Sequence, residues 1–157
     1  MYESILQALG KTSDFRSLER EIFQQACRVA RETLAGVLGE VDAELLRRKP
    51  KHLRCIGFRE RGIVTLFGEV RVRRRAYRAG GKPGLVFLLD RALGLGAGEC
   101  LSPGLKEVLV LASSWAPFRQ AVKLFSFLPV QVSAMTVHEA VAALGEARQA
   151  EQAQASA

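Results

Sequence analysis

The sequence predicts an α+β protein. It should have a long N-terminal helix, a small antiparallel β-sheet of about three strands, and a C-terminal three-helix unit with helix-turn-helix proportions. Three observations carry this. Apolar residues recur every three to five positions between Phe15 and Leu45, the spacing of one helix face. Strict alternation takes over from Glu69 to Tyr77, the period of a strand. In the last third, Ser102-Pro103 and Ser133 punctuate the chain as helix starts do. The organisation expected is a helical lead over 1–50, a basic β region over 51–98, a helix-turn-helix-like domain over 99–147 and a frayed tail over 148–157. At 157 residues, 48% hydrophobic and 25% charged, the composition is that of an ordinary globular chain of one domain or two very small ones.

Met1 to Lys11 is weakly patterned, at most a loose helix. Ser13 or Asp14 then caps a helix lasting to about Arg48, with Phe15, Leu18, Ile22, Val29, Leu34, Val37, Val41 and Leu45 along its stripe. Glu19, Glu21, Glu32, Glu40, Asp42 and Glu44 read as its solvated face. Thirty-odd residues of helix reach roughly 45–50 Å, more than a domain this size covers. The stripe therefore has two destinations: helices of this chain, or a partner, either a second copy through Phe15–Leu45 or a further domain. Gly36 and Gly39 are the points where the helix would kink or end. Pro50, with Arg47, Arg48, Lys49 and Lys51, closes it.

His52–Arg61 reads as a linker and Arg61–Arg78 as a hairpin turning at Gly68. On its return strand Val70, Val72, Arg74 and Ala76 share one face, and Glu69, Arg71, Arg73, Arg75 and Tyr77 the other. Ala79–Gly84 is a loop by composition, Leu85–Leu89 a third strand, and Asp90–Gly98 irregular. A helix capped by Ser102 carries Leu105, Val108, Leu109 and Leu111 to about Ser114. A second opens at Pro117, with Phe118, Ala121, Val122, Leu124, Phe125 and Leu128 inward, and stops at Pro129. Ser133 caps a third, with Val137, Val141 and Leu144 inward.

Charge is the most informative feature. The chain carries +7 overall, but Arg47–Arg78 holds twelve Lys and Arg against Glu60 and Glu69, so the remainder is net acidic. Basicity this local suits a polyanionic partner. Candidate DNA-binding residues are Arg71, Arg73, Arg75 and Arg78 on the hairpin, Arg119 and Lys123 beside the turn, and the leading turn of the last helix: Ser133, Ala134, Met135, Thr136 and His138.

No active site is visible. The sequence holds no GxSxG, P-loop or HExxH, and Asp90 has no evident partner acid with which to hold a metal. The three cysteines, Cys27, Cys55 and Cys100, form neither a disulfide framework nor a CxxC pair, and the His52–Cys55 spacing lacks a second ligand pair. No metal or cofactor is expected. Reduced thiols, no leader and no long apolar run point to a cytoplasmic protein that does not span a membrane.

Six short motifs fall in a recognisable order: TLFGEV at Thr65–Val70, RRxY at Arg74–Tyr77, LLDRALGL at Leu88–Leu95, LSPGLKE at Leu101–Glu107, FRQA at Phe118–Ala121 and VSxxTV at Val132–Val137. This series resembles the N-terminal part of ISLre-type insertion-sequence transposases, over about Phe15 to Glu146. The resemblance implies a front end that binds double-stranded DNA at the element's ends. It also implies a following RNase H-like domain whose acidic triad binds magnesium. These 157 residues end before such a domain, so the expectation is a non-catalytic fragment. Phe118 replaces the family's usual tyrosine, and Leu128-Pro129-Val130 its often glycine-containing turn.

Overall fold

In the computed structural model, residues 14–80, 83–117, 119–120, 123, 128–130, 133, 135–136 and 138–142 are described. The elements are α1 (Phe15–Arg47), β1 (Leu53–Thr65), β2 (Gly68–Ala79), α2 (Leu88–Ala92) and α3 (Pro103–Trp115). The fold is α+β: a long helix, a two-stranded antiparallel hairpin and short C-terminal helices.

Asp14, one of the two caps the sequence offers, starts α1 by accepting the Ser17 amide at 2.9 Å. That hydrogen bond holds the Asp14 carboxyl below its usual pKa. The helix runs unbroken for 33 residues, through Gly36 and Gly39. Its C-terminal half covers one face of the hairpin. Leu38, Ile63, Val70, Val72, Leu89 and Leu95 form the buried cluster, flanked by Leu34, Ala35, Val41, Leu45 and Leu93. A second cluster joins the turn end of the hairpin to the C-terminal segments: Leu105, Leu109, Val130 and Ala140, with Val64, Leu66 and Leu101 against them.

Two expectations about the β region are corrected. Among the described residues the sheet has two strands, not three. Val86 exchanges both backbone hydrogen bonds with Tyr77 at 2.8 Å, and the chain then coils into α2. The apolar run Leu85–Leu89 needs only Leu89 in the core, and a helical turn sets Asp90 beside it toward the strands. The predicted linker His52–Arg61 is instead mostly the first half of β1, which pairs with β2 from Leu53↔Ala79 to Thr65↔Gly68. A bulge between Cys55 and Gly57 breaks its period and disguises it.

The hairpin's outer edges are sealed where other segments reach them. Asp42 accepts the Arg75 amide on β2, and Cys100 and Ser102 pair with Val64 on β1. The turn is wedged as well. Arg31 Nη1 donates to Phe67 O at 2.8 Å. Gly68, at φ +108, leaves no room for a Cβ, which would lie 2.9 Å from both Arg31 Nη1 and Pro129 O.

Ser102 caps α3 through the Leu105 amide at 3.2 Å, with Pro103 in the first turn. Ser133 Oγ accepts the Thr136 amide at 3.0 Å ahead of helical residues 135–136 and 138–142. The described residues do not define a helix-turn-helix. The expected elements at Met1 to Ser13, Phe118, Ala121, Val122, Leu124, Phe125, Ala134, Val137, Leu144 and the tail lie outside them.

Asp90 ties α2 to both strands. Arg61 Nη1 donates to it at 2.7 Å, Arg74 closes on the same carboxylate, and Arg61 Nη2 reaches Gly96 O at 2.8 Å and also Glu99 O. Removing the one anion shared by two nearly buried cations should cost about 3–5 kcal/mol. Asp90→Ala is expected to lose that much in urea unfolding. Tyr77 is fully buried and its hydroxyl has no hydrogen-bond partner among the described residues. Tyr77→Phe should therefore match or exceed the parent, by up to roughly 1–2 kcal/mol.

Candidate nucleic-acid interface

The hairpin presents its candidate residues by register. Glu60↔Arg73, Phe58↔Arg75 and Gly62↔Arg71 are paired positions on the face turned away from the core. Arg71 and Arg73 are exposed there, as are Arg54, Arg59 and Arg78 elsewhere on the ribbon. Arg71 Nε lies 3.3 Å from Glu69, an open contact in solvent. The Arg73 guanidinium sits 4.4 Å from the centre of the Phe58 ring and that of Arg75 5.0 Å from it, so one half-exposed aromatic steadies two cations.

Arg75 departs from its expected role. It carries an ion pair with Asp42, Nη1 to Oδ2 at 2.7 Å, and its amide donates to Oδ1 at 3.3 Å. Asp42 is 1% exposed, so an acid assigned to the solvated face of α1 is a buried partner. The sequence hides this because the crossing of α1 over β2 is set by packing, not by local pattern. Tyr77, placed by alternation on the arginine face, is likewise buried rather than displayed. Burial pushes its hydroxyl pKa up, with the Asp42 and Cys55 charges adding to the rise. Arg74, on the inward set, stacks 3.7 Å from the Phe87 ring; burial and then the Arg61 charge pull its pKa down.

In the C-terminal segments Arg119 and Lys123 are exposed, as are Ser133, Met135 and His138. Thr136 is half-buried. It lines a cleft of about 430 Å³ with Glu99, Lys106 and Glu139, and its hydroxyl lies 2.9 Å from Ser133 Oγ. That turn thus has a protein side and a solvent side, with Met135 and His138 on the latter. Glu99, held by Lys106 Nζ at 2.8 Å and the Gly96 amide at 3.0 Å, titrates below the usual carboxylate range, chiefly through Lys106.

Among the described residues no group of three or more His, Cys, Asp or Glu is placed to hold a metal ion. None of their helices is long and apolar enough to cross a membrane. The arrangement defines an α+β protein with a basic, aromatic-braced ribbon face. Residues 10–157 match the uncharacterised protein family UPF0236, and the chain belongs to that family. No curated protein matches the sequence.

The three expected phosphate-contacting arginines should separate in a stability assay. Arg75→Ala strands a buried carboxylate and should cost about 3 kcal/mol. Arg71→Ala and Arg73→Ala should each cost less than about 1 kcal/mol. Urea unfolding of the three single variants checks this.

Proposed function

We propose that this chain is a DNA-binding part of a transposase-like protein and carries no catalytic acids of its own. The observation behind the proposal is the exposed ribbon face, where Arg71 and Arg73 stand with only the solvent-exposed Glu60 and Glu69 beside them. Arg71 and Arg73 stand free of the core on a two-stranded ribbon, a shape that a B-DNA major groove admits. Arg78, Arg119 and Lys123 extend the same charge, and the last helix offers Ser133, Met135 and His138 on its open side. Arg75 supports the surface from beneath by fixing the ribbon to α1 through Asp42. The motif order quoted above supplies the transposase part of the reading. The ribbon supplies the chemistry, in which cations meet phosphates and release their counterions.

Fluorescence anisotropy with a labelled duplex, repeated across salt concentrations, tests it. Binding should fall steeply with salt, and Arg71→Ala/Arg73→Ala should lower the slope by about 2. A slope that does not change removes the ribbon from the interface.

A second reading rests on α1. Phe15, Ile22, Phe23 and Val37 remain exposed, at 78%, 43%, 38% and 49%. Self-association would have to use these positions, since Leu34, Leu38, Val41 and Leu45 are already committed to the core. If the helix pairs with a second copy, light scattering should report a dimer that becomes monomeric in Ile22→Glu/Phe23→Glu. A monomeric parent at high micromolar concentration rejects this.

A further inference from the structure

We infer that the open end of the hairpin holds a discrete phosphate-binding site built on Arg54 and Arg78. The two residues are register partners, directly opposite each other on β1 and β2. Side chains so placed have their Cβ atoms about 5 Å apart, and like charges there repel. Neither arginine makes an ion pair among the described residues, and both are exposed. Most neighbouring arginines are held differently: Arg61 and Arg74 share Asp90, Arg75 has Asp42, Arg71 has Glu69, and Arg73 and Arg59, without ion pairs among the described residues, lean on the Phe58 ring and carbonyl. The Arg54–Arg78 pair is thus a facing pair of cations without a counter-charge among the described residues.

The pair also borders a concavity. A cleft of about 650 Å³ is lined by both arginines together with His52, Ile56, Gly80 and Pro83. Its walls combine planar guanidinium forks, an imidazole and apolar surface. Two guanidinium forks lining one cleft from facing positions suit a tetrahedral oxyanion, which each can grip through two N–H groups. An anion between them would turn the cross-strand repulsion into attraction. Arg78 belongs to the alternate register set from Arg71 and Arg73, so the cleft is distinct from the outer-face pair, although Arg78 also extends the proposed DNA surface. The ligand chemistry is a phosphate group, as a backbone phosphodiester or as a free phosphoryl group. The inference rests on the DNA reading only for which molecule bears that phosphate.

The test uses the arginine side-chain Nε–Hε resonances of the whole chain. Inorganic phosphate is titrated in, with sodium chloride at matched ionic strength as control. The site requires saturable shifts at Arg54 and Arg78, several-fold larger than those at Arg71 and Arg73 and absent with chloride. Arg54→Gln should abolish the saturable response of Arg78 while the rest of the spectrum stays unchanged. Phosphate and chloride acting alike would overturn the site, as would equal responses at all four arginines, because either is general screening. A duplex oligonucleotide then separates the sources. If it moves Arg54 and Arg78 and is displaced from them by phosphate, the bearer is a nucleic-acid backbone. If only phosphate moves them, it is a free phosphoryl group. Duplex binding with no phosphate response keeps the DNA reading and overturns this site. A phosphate response without duplex binding does the reverse.

Discussion

A two-stranded ribbon does not hold its shape alone in water, and most of this structure follows from covering one of its faces. Ile63, Val70 and Val72 supply too little apolar surface to be stable unless something lies on them, and Leu34, Leu38, Val41 and Leu45 of α1 do so. Among the described residues, α1, α2 and the C-terminal segments lie on that face and at the turn end, and the other face is left to solvent. That leftover face is where Arg71 and Arg73 stand exposed. The display of charge is the other side of the burial that makes the hairpin fold.

The polar contacts show how a basic strand can lie against a core. Five arginines occur between Arg71 and Arg78, and the fold treats them unequally. Arg74 is pulled inward onto Asp90 and Phe87, and Arg75 is tied down by Asp42. Arg71, Arg73 and Arg78 are left outward. Both anchoring acids come from helices, so each ion pair also fixes a helix to the ribbon. A buried pair of this kind adds little net stability over an apolar one, but breaking it by removing one partner is costly.

Much of this was legible in the residues. The α1 stripe, its Asp14 cap, the β2 alternation, the Gly68 turn and the Ser102 and Ser133 caps all follow local rules, and local rules survive folding. The first half of β1 was not legible, since Leu53–Gly62 is largely exposed and interrupted by a bulge, so it carries no apolar period. Leu85–Leu89 misled because a short apolar run looks the same whether it becomes strand or helix. The roles of Asp42, Arg75 and Tyr77 depend on where α1 crosses β2, and the Arg54–Arg78 pairing depends on register across a bulge. Neither is written in any one segment. The candidate site was thus legible as a concentration of charge but not as an allotment of particular arginines.

The fit of the turn has a practical corollary. Hairpin tips usually accept epitope tags, inserted loops and new chain ends with little complaint. This one is pinched between the Arg31 guanidinium and the Pro129 carbonyl, with a glycine where no side chain fits. Anyone engineering the protein should attach labels elsewhere than at this turn. The tip behaves less like a loop than like a keystone.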